Sequence, residues 1–431
     1  MPPVTIGTQN RHLSGAGRPR GATAQRNGPV AAIALAIVLA AFGATPVTAQ
    51  LNPLKNSNHS CVPNGQYWRV SSLHAPTCPP FDPESLEYFY FDCCRKQWRP
   101  STLEAFLASD DPAISTCIFV PGYEPDPKTN QEKFTERSTN GGWLLYEQVA
   151  PRCQPFRLVI FIWPAEREKR TRMVPNMRKK LGWAELHGWY MAWLLDQMNP
   201  EVPIGLTSDS LGASLLTGAL HVLGGGSVEG QGLVRVHPKR RPPRVAMMAS
   251  TMSNSWLAPG RRHGLALTQV ESMLITVNPQ DRMLKLYRLA RIGGGGFALG
   301  QTGEAGGLGE YRDKVRYVNV NPYVRGRHWY TAYLKNPAFV NILRPYAFPP
   351  PLVIDSNETA MLDLRPSATD NHRFNPEKTG LRPGKRPAWN SNKDTPSAST
   401  WAPPFRPSPI STKRATPSRC SMKKIKSKPP V

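Results

Sequence analysis

The sequence predicts an α/β protein in which helices cover both faces of a mostly parallel sheet. Three observations carry that prediction. Short apolar runs recur at 115–120, 157–163, 202–207, 244–250, 272–277 and 315–320, and near-continuous apolar runs are the mark of strands buried on both faces. They alternate with longer segments of helical spacing at 184–198, 211–223 and 329–343, the arrangement of parallel strands joined by crossovers. Between two of them, Pro203-Ile204-Gly205-Leu206-Thr207-Ser208-Asp209-Ser210-Leu211-Gly212-Ala213-Ser214 reads as a strand turning sharply, through small residues, into a helix with Ser210 at the apex.

The elements follow in chain order. Residues 1–49 carry Arg11, Arg18, Arg20 and Arg26 and no acidic residue, ahead of an uncharged apolar run from Val30 to Ala44. Pro46-Val47-Thr48-Ala49-Gln50 closes the run with small residues before a cut at Gln50. This is the pattern of a secretory signal peptide, and it predicts export to the periplasm or medium. The run is shorter than the roughly 20 residues that span a bilayer; the alternative is an uncleaved N-terminal membrane anchor. No later stretch is apolar enough to span, so no transmembrane segment is expected after signal cleavage. Residues 50–64 read as a polar linker, and 65–348 as the folded domain, with early strands at 67–72 and 87–93. Residues 349–431 hold 15 prolines, 15 basic and six acidic residues. Too little apolar surface remains there to order a chain, which predicts a disordered basic tail.

Charge and cysteine usage narrow the function classes. The net charge is +24, and roughly half of it lies in the two termini. The basic tail suits an envelope polyanion. It lacks the aromatic-interleaved basic ladder that would point to a specific nucleic-acid partner. Cys61, Cys78, Cys93, Cys94, Cys117 and Cys153 cluster early, with Cys420 alone in the tail. In an oxidising compartment they would form disulfides, whose pairing sequence leaves open. Adjacent Cys93 and Cys94 would face opposite ways on a strand. No C-x-x-C or interleaved histidine supports a metal site. Gly224-Gly225-Gly226 reads as a helix end, and the glycines from Gly293 to Gly309 as a flexible loop. No dinucleotide or phosphate-loop fingerprint occurs, so no cofactor is expected.

A serine hydroxyl becomes a nucleophile near neutral pH only with a base in reach and a third group to orient the base. After Ser210 the strand 272–277 runs directly into Asn278-Pro279-Gln280-Asp281, placing Asp281 just past a strand. The strand 315–320 is followed by Asn321 to His328, which opens the last predicted helix. Among the rival histidines, His187, His221, His237 and His263 fall at the wrong place in the order. Asp313 precedes its strand and would face the wrong edge. The developing oxyanion needs two backbone N–H donors. Leu211, after the serine, supplies one. The other comes from the loop after 115–120, Pro121-Gly122-Tyr123, where Gly122 shapes the loop and Tyr123 donates, since proline cannot.

With these segments the chain resembles an α/β-hydrolase, and in particular a poorly characterised group of bacterial hydrolase-like proteins. The resemblance is carried by Ile118-Phe119-Val120-Pro121-Gly122, Gly142-Trp143, Phe161-Ile162-Trp163-Pro164, Ser208-Asp209-Ser210-Leu211-Gly212, Asn278 to Asp281 and Gly326-Arg327-His328-Trp329. It implies an α/β-hydrolase-type sheet and generic hydrolysis of an ester, thioester or related acyl bond in a small-molecule or lipid-like substrate. Ser208 and Pro121 depart from the family pattern, which normally has glycine and histidine there. The alternative is therefore a catalytically weak or inactive hydrolase-like module of the cell envelope.

Overall fold

Where the strands lie in the sheet decides which loops meet. The computed structural model describes residues 65–351 except 152–153, 290–291 and 293–295. The strands are β1 Gly65–Ser71, β2 Glu87–Asp92, β3 Gln97–Ser101, β4 Ser115–Val120, β5 Phe156–Ile162, β6 Ile204–Asp209, β7 Arg244–Met248, β8 Ser272–Val277 and β9 Val315–Asn319. They form one nine-stranded sheet in the order β3-β2-β1-β5-β4-β6-β7-β8-β9. Only β2 runs against its neighbours; from β1 to β9 every other pair is parallel.

The apolar runs make these strands because every position of β4, β5 and β6 is buried. Burial at every position requires cover on both faces. The helix Met173–Gln197 packs along Gly212–Leu223, while Gln131–Val149 and Pro337–Ala347 pack together against β5, β6 and β7. The first pair touch backbone to backbone. A Cβ on Gly188 would come 2.8 Å from the Leu215 carbonyl oxygen, so glycine is what permits the approach.

Chain direction reverses around β4. From β4 the chain moves to β5 on one side, then crosses to β6 on the other. Such a switch point opens a crevice at the carboxyl ends of the strands, here between the residues that follow Val120 and those that follow Asp209.

Several boundaries differ from the sequence expectation for physical reasons. The helix expected at 184–198 starts at Met173; Pro175 lies in its first turn, where a missing N–H costs nothing. The helix expected at 329–343 is two helices, Tyr330–Leu334 and Pro337–Ala347. Asn336 caps the second through the Phe339 amide, and Pro337 opens it, a start signal that interrupts the first. His328 therefore lies in the turn two residues before a helix, and does not open the last one. Gln131–Val149 was not foreseen: its buried face includes Ser138, Thr139, Gly141 and Gly142, which blur the apolar period. β2 stops at Asp92, whose Oδ1 accepts the amides of Cys94 and Arg95. Cys93 and Cys94 thus sit in a turn, the first in a disulfide and the second a free thiol. The glycine-rich loop contains a short helix, Leu299–Thr302. Among the described residues no helix is long and apolar enough to cross a membrane. The expected signal peptide and linker, and the tail beyond residue 351, lie outside the described residues.

Candidate active site

β6 ends at Asp209, and the helix Gly212–Leu223 begins three residues later. Turning that fast puts Ser210 in the left-handed region, at φ 51°, a conformation costing about 1–3 kcal/mol in a residue with a side chain. The turn is held from β7: Ser210 N donates to the Met248 carbonyl, and Thr251 N donates to the Ser210 carbonyl, both at 3.0 Å. Ser208 is fully buried between Val120 and Met247 in the sheet register. Its small side chain fits that confined position.

Three side chains from three strand ends meet at this apex. His328 Nε2 lies 3.0 Å from Ser210 Oγ, and His328 Nδ1 lies 2.8 Å from Asp281 Oδ2. Asp281 is fully buried and His328 nearly so. The Asp281 carboxylate accepts from Nδ1–H, which leaves Nε2 as acceptor for the serine hydroxyl. The other carboxylate oxygen is also used: Oδ1 accepts the Met283 and Leu284 amides at 2.8 and 3.2 Å, capping the helix Arg282–Leu289. Asn278 Nδ2 donates to the Arg325 carbonyl at 2.7 Å, tying the Asp281 loop to the His328 loop. Burial lowers the His328 pKa, but the charge and hydrogen bond of Asp281, with the charge of Asp209, outweigh it and leave the imidazole above its ordinary value.

The rival histidines are otherwise engaged. His187 Nδ1 lies 2.9 Å from Ser72 Oγ, and His263 Nδ1 lies 2.8 Å from Thr217 Oγ1. Burial holds both down to about 3. His221 Nδ1 accepts from the Leu265 amide.

Gly122 packs directly against Ser210. A Cβ on it would lie 2.7 Å from Ser210 Cβ and 2.9 Å from the Asp209 carbonyl oxygen. The Pro121 carbonyl accepts from Trp163 Nε1 at 2.8 Å, and the Tyr123 hydroxyl donates to Asn176 Oδ1 at 3.0 Å. Among the described residues, the backbone N–H groups of Gly122, Tyr123 and Leu211 have no hydrogen-bond acceptor. Leu211 and Tyr123 are buried, and buried amides are almost always paired, so unspent donors directly after the serine and on the loop packed against it are a resource for a ligand.

No family model matches this chain, and no curated protein or solved structure matches it. The chemistry must come from the residues themselves.

Two contributors escaped the sequence reading. Thr251 Oγ1 lies 3.1 Å from Ser210 Oγ and 3.1 Å from the Ala249 carbonyl oxygen; it belongs to no motif, and only its place after β7 could have drawn attention. Trp163, at the end of β5, acts on the Pro121 loop across 42 residues. Among the described residues, no group of His, Cys, Asp and Glu could hold a metal ion. What the site can do is take the proton from a serine hydroxyl as its oxygen attacks, beside unpaired amide donors.

Proposed function

We propose that the chain is an exported serine hydrolase of the α/β-hydrolase type, cleaving an ester, thioester or related acyl bond through an acyl-enzyme. The observation that carries this reading is the hydrogen-bonded series Asp281–His328–Ser210, with the serine at a strained strand-to-helix apex. Ser210 Oγ attacks the acyl carbonyl as its proton passes to His328 Nε2. Asp281 stabilises the imidazolium and keeps the ring in its tautomer. The amides of Leu211 and Tyr123, with Gly122 making room, receive the oxyanion. His328 then returns the proton to the leaving group, and water, activated by the same imidazole, releases the acid. Every part in this sequence is a residue of the chain, so it calls for no metal or organic cofactor.

Export goes with the reading through residues 1–49. Binding of an envelope polyanion falls to the basic segment 349–431, and the acyl substrate is small or lipid-like. A fluorophosphonate probe should label the folded protein at neutral pH, and Ser210→Ala should abolish the labelling. Absence of labelling in folded wild type would reject the proposal. A panel of esters and thioesters of varied chain length then defines the acyl group.

A further inference from the structure

Asp209 closes β6 immediately before Ser210, and the scheme above gives it no task. It is 2% exposed, and its Oδ1 is buried without a hydrogen-bond partner among the described residues. Its Oδ2 lies 3.0 Å from the point a Cβ on Gly122 would occupy, a point itself 2.7 Å from Ser210 Cβ. The carboxyl is thus wedged between the nucleophile and the loop that carries the Gly122 and Tyr123 amides. No lysine or arginine among the described residues pairs with it. The titratable groups that bear on it are His328, Asp281, Tyr330 and Tyr333; across the sheet, the β7 residue in register is Met248. An ionised carboxylate held there would be a buried anion with no counter-charge in contact, an expensive arrangement, whereas the neutral acid is far cheaper to bury.

We propose that Asp209 works as a neutral acid of the site, keeping its proton while acyl transfer takes place beside it. The inference rests on the hydrolase reading. In the transition state the carbonyl oxygen gains negative charge next to Gly122 and Leu211. An ionised Asp209 a few ångströms away would repel that charge; a protonated one removes the repulsion and offers an O–H towards the same crevice. Burial, and after it the charge of Asp281, push the Asp209 pKa up to about 7, against the opposing pull of His328.

The proton count gives the proposal its signature. The active form pairs neutral His328 with protonated Asp209. It holds as many protons as the inactive form with imidazolium and carboxylate, so the two residues titrate as a unit. Below the optimum, a further proton on the pair removes the base. Above it, loss of the Asp209 proton places an anion where the oxyanion must form. No bond to Asp209 is made or broken in the cycle.

The experiment is the pH profile of fluorophosphonate labelling for wild type, Asp209→Asn and Ser210→Ala, from about pH 5 to 10. Wild type should give a bell. Asp209→Asn, a permanently neutral isostere, should lose the alkaline limb, and at about pH 9 it should label at least roughly fivefold faster than wild type. Its acid limb should stay in place or move slightly to higher pH, because Asp209 is already protonated on that side of the wild-type bell and the competing imidazolium–carboxylate form is gone. An unchanged alkaline limb, or a folded Asp209→Asn protein that never labels, overturns the inference. A second measurement does not depend on turnover. Infrared difference spectra of Ser210→Ala should contain a protonated-carboxyl component that disappears as the pH rises and is lost in the Ser210→Ala, Asp209→Asn double variant, while the contribution of Glu304, also raised to about 7, remains in both; identical spectra also overturn it. Failure of wild type to label rejects the hydrolase reading and this role with it. A labelled wild type with an unaltered Asp209→Asn profile rejects this role alone.

Discussion

Trp163 Nε1 donates a 2.8 Å hydrogen bond to the Pro121 carbonyl oxygen, and that bond orients the peptide whose nitrogen belongs to Gly122. A trans peptide is planar, so a fixed C=O fixes the N–H on the opposite side. The indole therefore sets the direction in which the loop that carries the Tyr123 amide leaves β4.

Trp163→Phe should keep the packing and lose the donor. The buried carbonyl left unpaired costs about 1–3 kcal/mol of stability. Catalysis should fall roughly tenfold in kcat with KM little changed, less than the loss of about 10²–10³ from deleting an oxyanion donor outright. A lower Tm with unchanged kcat would make the bond structural only.

Gly122→Ala tests the same crevice from inside. The added methyl meets Ser210 Cβ at 2.7 Å and the Asp209 carbonyl oxygen at 2.9 Å, and neither can yield without moving the nucleophile. Hydrolysis should drop by about 10²-fold or more, the usual result of displacing reacting groups by about an ångström. Gly182→Ala, in the helix Met173–Gln197 with nothing within 4 Å of the new methyl, is the control. It should stabilise by about 0.5–1 kcal/mol and leave the rate alone, as steady-state kinetics and thermal melts will show.

Thr251 has one proton and two neighbours that could take it, Ser210 Oγ and the Ala249 carbonyl. When Ser210 gives its own proton to His328, its contact with Thr251 is a hydrogen bond only if Thr251 donates to Ser210 Oγ in preference to the Ala249 carbonyl, and that bond holds the serine rotamer towards the base. Thr251→Val should slow labelling of Ser210 by roughly fivefold, the scale of one lost neutral hydrogen bond of about 1 kcal/mol. Thr251→Ser should restore it. Equal rates in the two variants would show that the hydroxyl is idle.

Ser210, Asp281 and His328 were legible because each follows a strand, and strand ends can be read from apolar runs. Their chain order reproduces the order of β6, β8 and β9 across the sheet. Thr251 stands after β7 by the same logic, yet it carries no charge and fits no motif, so nothing in the sequence marks it. The tie between Trp163 and Pro121 is a tertiary contact between neighbouring strand ends, invisible until β4 and β5 are known to pair. The helix Gln131–Val149 was hidden because small and polar residues line its buried face, and the break at Asn336-Pro337 because apolar spacing continues across it. Apolar periodicity thus reports what a segment buries; it is silent on short capping signals and on contacts between loops.

Asp281 serves two partners with different oxygens, and substitution can separate them. In Asp281→Asn the amide oxygen can still cap Arg282–Leu289, while the NH₂ group cannot accept from His328 Nδ1–H. The Tm should change little. kcat should fall by roughly 10⁴, the scale of loss when the imidazole adopts the wrong tautomer. Any residual activity should show its acid limb at lower pH, since the charge and hydrogen bond that hold the His328 pKa up are gone. A large loss of stability with proportionate loss of activity would contradict the division.

His187 and His263 should make the fold acid-sensitive, in a window set by their own shifts. Burial depresses both from the ordinary 6.5 to about 3 in the folded chain, with Lys180 adding to the effect at His187, and His221 and Arg262 at His263. Between those values the unfolded chain binds a proton at each site and the folded chain does not. Stability from these groups is therefore complete above about pH 6.5 and is lost as pH falls towards about 3, at about 1.4 kcal/mol per pH unit for each proton. Asp209, raised to about 7, acts with the opposite sign and softens the slope of the wild type. The comparison that isolates a histidine is a variant against wild type: His263→Asn retains a polar atom for Thr217 and has nothing to titrate. It should start less stable at pH 7.5, from the cavity it leaves. Its stability in urea melts should then fall less steeply towards pH 4.5, by about one proton's worth. Parallel slopes for His263→Asn and wild type would mean that His263 is protonated inside the fold, and that its bond to Thr217 is made by an imidazolium.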